Sequence, residues 1–146
     1  MGLRMLSFAL GATLLANLAW AAGPDVCTAL PLAKVNGIIH QNLTGTRADV
    51  SEEAHSYGCS YGSDAHVSVS VIRPGGSQAA ARTLSRFPHA TAVAGLGDKA
   101  FYDKSIGIIA VFGDTAIDAF VPPGKMSDAQ LLEMEKSLVL AMQSKL

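Results

Sequence analysis

Residues Tyr57–Ile72 read YGCSYGSDAHVSVSVI, and this stretch decides the fold that the sequence predicts. Valines alternate with polar residues from His66 to Ile72, which is typical of a strand buried on one face. Ser56–Tyr61 is predicted as a second strand, with turn residues at Gly62–Asp64 between the two. The pattern predicts a β-hairpin that directs Cys59 into the core.

The first 21 residues have the three parts of a secretory signal peptide. Met1–Arg4 carries a positive charge, Met5–Leu18 is an apolar run, and Ala19–Ala21 is an A-x-A cleavage site. The alternative is a buried N-terminal helix. We therefore expect residues 1–21 to be removed and residues 22–146 to form a single domain, periplasmic or secreted and not membrane-spanning.

The charge balance argues against nucleic acid as a partner. The chain has 11 Lys+Arg and 12 Asp+Glu, for a formal net charge of −1. Removal of Arg4 with the signal peptide leaves −2, and no basic run is present. Nucleic-acid binding needs a positive patch to meet phosphates, so we expect none.

Two cysteines in an exported chain predict one disulfide, Cys27–Cys59. Free thiols and a two-cysteine metal site are the alternatives. Cys27 does not directly follow the apolar run, so it is not placed for lipidation.

The remaining sequence predicts an α+β domain in the order α-β-β-α-β-β-β-α. Hairpins dominate, so the sheet is expected to be largely antiparallel with the helices on one face. Ser127 and Gln130 predict a capping box at the last helix, and Asn42–Glu53 is predicted to be a loop. The predicted elements are a helix at Thr28–Gln41, strands at Ser56–Tyr61 and His66–Ile72, a helix at Ser77–Phe87, strands at Lys99–Tyr102, Ile106–Phe112 and Thr115–Val121, and a helix from Ser127.

Two short motifs match functional patterns but lack the context that the chemistry needs. Gly58–Gly62 matches the serine-nucleophile pattern G-x-S-x-G, yet a strand rather than a helix is predicted to follow it. Gly95–Ala100 matches a dinucleotide fingerprint but precedes a predicted strand, so a tight loop is the better interpretation. The sequence assigns no catalytic residue and no cofactor.

The histidines do not have the spacing of a metal site. His55 and His66 flank the predicted hairpin, and one hypothesis is that they face each other. Two imidazoles are an incomplete set for zinc or copper, so no metal ligand is assigned.

One strand is apolar on both faces, which predicts an interaction face. Ile109 and Val111 share one side of Ile106–Phe112, and Phe120 lies on the next strand. If helices cover only the other face, these residues form a surface for a protein partner, a small apolar ligand or a homodimer. The alternative is a central strand buried on both sides by the fold itself.

These features together resemble a group of small exported bacterial domains, found as envelope lipoproteins in actinobacteria and as soluble periplasmic proteins in proteobacteria. The resemblance spans nearly the whole mature chain through short motifs. They are Cys27 ahead of the first helix, Cys59-Ser60-Tyr61 on a strand, Gly95-Leu96-Gly97-Asp98-Lys99-Ala100 before an aromatic strand, a Gly113-Asp114 turn, and a capped C-terminal helix. It implies a cysteine-stapled α+β domain and transfers no activity or site residues. The chain differs from the lipoprotein members in lacking a lipidation cysteine.

The functional expectation is a non-enzymatic binding or accessory domain of the cell envelope. An exported hydrolase is the alternative. The absence of an acid, a base and a nucleophile at interpretable spacing favours binding over catalysis.

Overall fold

The computed structural model describes residues 23–64 and 66–146, so the predicted signal peptide lies outside the described residues. Within them, no helix has the length and apolar character needed to cross a membrane. The elements are helices α1 (Val26–Ala29), α2 (Leu32–Ile39), α3 (Gly76–Leu84) and α4 (Asp128–Gln143), and strands β1 (Thr46–Ser51), β2 (Ser56–Tyr61), β3 (Val67–Ile72), β4 (Thr91–Ala92), β5 (Lys99–Asp103), β6 (Gly107–Phe112) and β7 (Thr115–Phe120).

The strands form one antiparallel sheet in the order β1-β2-β3-β7-β6-β5-β4. The α+β class and the predicted order of elements are confirmed. The structure adds two strands: β1, within the segment predicted as a loop, and the two-residue β4. β1 and β4 are the edges of the sheet, so each has a neighbour on one side only.

The face that holds most of the core, called the inner face, is covered by α1, α2 and α4. Strand alternation in β3 directs Val67, Val69 and Val71 into this core, as predicted. The helices contribute the other side of the same layer, with Val35 from α2 and Leu138 from α4. This packing between sheet and helices supplies most of the apolar burial.

The third helix lies on the opposite side of the sheet, called the outer face. Ala80 of α3 packs with Ile109, Val111 and Ala116 in a second, smaller core. α3 approaches closely at Gly76, where a Cβ atom would overlap the backbone of Ala116. The sheet is therefore covered on part of its outer face as well, which differs from the prediction that all helices share one face.

The predicted N-terminal helix is divided in two by Leu30 and Pro31. Asp25 caps α1 by accepting a hydrogen bond from the Thr28 amide at 3.1 Å. Pro31 then precedes α2, where its missing N–H costs nothing. Because Leu30 is buried, the break between the helices is held against the core.

The predicted disulfide is present between Cys27 of α1 and Cys59 of β2, with 5.1 Å between their Cα atoms. Cys59 is buried on the inner face, so the bond clamps α1 to the sheet as the hairpin pattern predicted. A second tie lies alongside it, because the Tyr61 hydroxyl donates to the Leu30 carbonyl at 2.6 Å.

The capping box at α4 is also confirmed. The Ser127 side chain accepts from the Gln130 amide, and the Gln130 side chain accepts from the Ser127 amide. We expect Ser127→Ala to lower the free energy of unfolding by about 1 kcal/mol, the usual loss for a serine N-cap. Urea unfolding followed by circular dichroism measures it, with Ser137→Ala on the exposed side of the same helix as the control. Equal stability of the two variants would contradict the assignment.

Candidate functional site

A cavity of about 300 Å³ lies on the outer face between α3 and strands β5 and β6. We call it the α3 cavity. Its helix side is formed by alanines and a leucine, and its sheet side by an aromatic and a valine side chain. The apolar wall residues are Ala80, Ala81, Leu84, Phe101 and Val111.

The rim of the α3 cavity is polar and tightly held. The Asp98 carboxylate accepts from the Gly113 amide at 2.6 Å, and the Asp98 amide donates to the Val111 carbonyl at 2.8 Å. Lys99 is exposed beside them and takes part in none of the ion pairs among the described residues. The mouth of an apolar cavity thus has one lysine ammonium group without a carboxylate partner.

The Gly95–Ala100 motif forms this rim. Gly97 has φ +60°, and a Cβ atom there would overlap the Val111 carbonyl oxygen. Glycine is therefore required for a close approach of two backbones. The loop leads into β5 rather than into a helix, so it lacks the helix N-terminus that receives a pyrophosphate.

The predicted interaction residues are not gathered on one open surface. Ile109 and Val111 are buried, with exposed fractions of 4% and 7%, in the small core beneath α3. Phe120 lies on the same face of the sheet and is half-buried. Burial on both sides of β6 matches the alternative drawn from the sequence, and Val111 contributes to the wall of the α3 cavity.

A second hollow, of about 280 Å³, lies on the other flank of α3, and we call it the arginine hollow. Arg82 of α3 and Arg86, two residues beyond the end of that helix, line it beside Thr83 and Ser56. Neither arginine forms an ion pair within residues 23–64 and 66–146. Both sides of α3 therefore present a cation next to a depression in the surface.

Hydrogen-bonded serine–aspartate pairs also lie on the outer face. The Ser60 hydroxyl donates to Asp49 at 3.0 Å, and the Ser70 hydroxyl donates to Asp118 at 3.2 Å. Burial raises the pKa of Asp118 to about 6, although the Ser70 hydrogen bond opposes the change. These pairs satisfy the carboxylates across neighbouring strands.

Ser60, the serine of the G-x-S-x-G match, lies inside β2 between β1 and β3. The residue is 6% exposed, and its hydroxyl donates to Asp49. The chain continues from β2 into the turn before β3. An exposed serine at a strand-to-helix turn, which a nucleophile elbow requires, is therefore not formed at this position.

The hypothesis that His55 and His66 face each other is wrong. His55 precedes β2 and His66 precedes β3, and because the strands are antiparallel the two residues lie at opposite ends of the hairpin. Six strand residues separate these ends by about 20 Å. In the described part of the chain, no three histidine, cysteine or acidic residues are grouped so as to hold a metal ion.

Glu135 of α4 is buried in the main core with 1% exposure. One carboxylate oxygen accepts from the Val121 amide at 2.9 Å, and the other has no hydrogen-bond partner. Burial raises the pKa of this carboxyl to about 7, and the nearby amides of Val121 and Ile108 limit the rise. The hydroxyl of Tyr102 is likewise buried without a partner. Burial is the main cause that raises its pKa, and the charge of the nearby Glu135 is the second.

Comparison of the chain with protein-family models, curated proteins and solved structures found no match. The fold and the site geometry therefore define the class. The chain is a disulfide-clamped α+β domain with a small apolar cavity between a helix and the sheet.

Only part of these sites has a signal in the sequence. Glu135 had a readable signal, because it lies at helical spacing between Leu131 and Leu138 on the stripe that faces the core. Leu84 and Phe101 both line the α3 cavity, but they are 17 positions apart along the chain. Only the packing of α3 onto the outer face brings these two side chains together.

Proposed function

We propose that the protein is an exported, non-enzymatic binding domain that holds a small apolar ligand in the α3 cavity. The observation that carries the proposal is the combination of an apolar wall with a rim held by hydrogen bonds of the Asp98 carboxylate and amide. Small-molecule sites are concave, mostly apolar and largely preformed, with a few polar groups that orient the ligand.

The ligand chemistry follows from the wall and the mouth. Leu84, Phe101 and Val111 favour an aliphatic or aromatic body, because transfer of apolar surface out of water is favourable. Lys99 at the mouth favours an anionic end, such as a carboxylate or sulfonate, because it has no carboxylate partner among the described residues and the Asp98 carboxylate on the same rim is engaged by the Gly113 amide. The volume is at the lower end for small-molecule sites, so the ligand is small.

Export is part of the proposal. The disulfide supports an oxidising compartment, and the predicted signal peptide supplies the route. We therefore place the binding activity in the periplasm or outside the cell, as an envelope accessory function.

Fluorescence titration with anilinonaphthalene sulfonate, a small apolar probe with an anionic end, tests the proposal. We expect saturable binding of one probe per chain. Ala81→Phe adds an aromatic ring to the cavity wall and is expected to weaken binding at least about tenfold, or about 1.4 kcal/mol. Gln78→Phe places the same ring on exposed α3 surface outside both hollows, and its affinity is expected to be unchanged.

The role of Lys99 is measured in the same assay. Lys99→Gln is expected to weaken binding severalfold and to remove most of its dependence on salt, since the lost attraction is between exposed charges. Failure to saturate, or equal affinity in Ala81→Phe and Gln78→Phe, would contradict binding in the α3 cavity.

A further inference from the structure

The long open edge of the sheet is β1, and every one of its six residues is exposed. The opposite edge ends in the two-residue strand β4. An unpaired strand presents a row of N–H and C=O groups that can pair with another chain. β1 is therefore the part of this sheet best placed to accept a further strand.

The hydrogen-bond pattern decides which residues of β1 are available. The Gly62 amide donates to the Gly45 carbonyl, so Gly45 is a hydrogen-bonded position in the β1–β2 ladder. Such positions alternate in an antiparallel pair, so the odd-numbered residues of β1 bond to β2. Thr46, Ala48 and Val50 consequently direct their amides and carbonyls away from the sheet.

We propose that β1 pairs antiparallel with β1 of a second copy of this chain, about a two-fold axis at Ala48. A symmetric contact of this kind is the commonest interface in homo-oligomers. It joins the two sheets edge to edge and is separate from the α3 cavity.

Charge selects this register over its neighbours. With the axis at Ala48, Arg47 lies opposite Asp49 of the second copy, in both directions. An axis one position earlier places Arg47 opposite itself, and an axis one position later places Asp49 opposite itself. Like charges directly opposite each other on paired strands are unfavourable, whereas opposite charges are favourable.

The outward hydrogen-bonding positions agree with the same register. Ala48 pairs with itself and Thr46 pairs with Val50 of the second copy, so up to six main-chain hydrogen bonds form at the three pairs. The positions between them bring Arg47 and Asp49 of opposite copies closest together, as non-hydrogen-bonded pairs. The two side chains are 74% and 56% exposed, so each has a solvent-facing side from which it can reach the other copy. Within one chain they lie 3.7 Å apart, and the Asp49 carboxylate also accepts from the Ser60 hydroxyl at 3.0 Å.

Apolar burial adds to the contact. Val50 is 58% exposed, more than any other large hydrophobic residue in the described chain. It lines a hollow of about 250 Å³ with Ala48 and Tyr57 beside the strand. The contact is one strand wide, so it belongs with small interfaces, and we expect a reversible dimer that forms at high protein concentration.

Analytical ultracentrifugation of the mature chain over a concentration series tests the proposal through two charge reversals. Arg47→Asp places acidic residues opposite each other, and Asp49→Arg places arginines opposite each other. Each variant alone is expected to dimerise at least tenfold more weakly than the unchanged chain. An equimolar mixture of the two is expected to form a mixed dimer, because the aspartate introduced in one variant then lies opposite the arginine introduced in the other.

Formation of the mixed dimer also shows that both variants are folded, because an unfolded variant could not present β1 to its partner. Ala48→Pro provides an independent block, because it removes an outward amide and leaves the β1–β2 hydrogen bonds in place. A chain that stays monomeric at all concentrations, or a dimer unaffected by either charge reversal, would overturn the proposal. If the unchanged chain dimerises but does not bind anilinonaphthalene sulfonate, the result counts against the α3 cavity and not against the dimer.

Discussion

Breaking the Cys27–Cys59 bond is expected to lower the free energy of unfolding by about 3–4 kcal/mol. The two residues are 32 positions apart, and a cross-link over a loop of that length restricts the unfolded chain by about this amount in the chain-entropy model. The bond is the strongest tie between the N-terminal helices and the sheet.

The folded state contributes to the effect as well. α1 has only four residues, too few for a helix to be stable by itself in water. Without the bond it is held by Val26 and Leu30 in the core and by the Tyr61 hydroxyl on the Leu30 carbonyl. We therefore expect α1 to exchange its amides faster than α4 in the reduced protein.

Guanidinium unfolding with and without reductant measures the loss. The double variant Cys27→Ala/Cys59→Ala is the control, since it should match the reduced protein and be insensitive to reductant. If the oxidised and reduced proteins unfold at the same midpoint, the bond is not the clamp described here.

Stability is also expected to fall as the pH rises from about 4.5 to about 7, because of Glu135. Its carboxyl has an ordinary pKa of 4.5 and a pKa of about 7 in the folded protein. Between these values the folded protein binds the proton that the unfolded chain has released, so raising the pH favours unfolding. At about 1.4 kcal/mol per pKa unit, the loss on crossing this window is about 2–3 kcal/mol.

The fall in stability with rising pH has a structural reason. Deprotonation places a negative charge among apolar side chains, and one of its oxygens lacks a donor. Glu135→Gln keeps an oxygen that can accept from the Val121 amide and removes the charge. As the pH rises from 4.5 to 7.5, we expect the free energy of unfolding of this variant to increase by about 2–3 kcal/mol relative to that of the unchanged protein.

Asp118 has a raised pKa as well, so it contributes a dependence of the same sign at lower pH. The comparison of variant and unchanged protein cancels that contribution. Urea midpoints across the pH range provide the measurement, with Glu133→Gln on the exposed side of α4 as the control. Parallel stability profiles for Glu135→Gln and the unchanged protein would show that Glu135 keeps an ordinary pKa.

Much of the fold was readable because local patterns and tertiary packing agree. The alternation in β3 predicted its buried face, and the inward direction of Cys59 followed from its pairing with that strand. The start of α4 was readable because a capping box is a local signal that depends on Ser127 and Gln130 alone.

The sequence prediction and the structure differ where non-local contacts decide the structure. β1 carries Arg47 and Asp49 and is exposed throughout, so no burial pattern marks it, and the ladder with β2 holds it in place. The position of α3 depends on the close approach at Gly76 and on Ala80, which are small residues with weak hydrophobic signals. The α3 cavity is a product of that placement, so the sequence predicted an apolar surface on this face but not the cavity.

The most direct test of binding in the α3 cavity is an amide NMR titration of residues 22–146 with anilinonaphthalene sulfonate. We predict saturable chemical-shift changes at Ala81, Leu84, Phe101 and Val111, which lie on three different elements around the cavity. Changes that do not saturate, or that are confined to residues outside α3, β5 and β6, would contradict the proposed binding site.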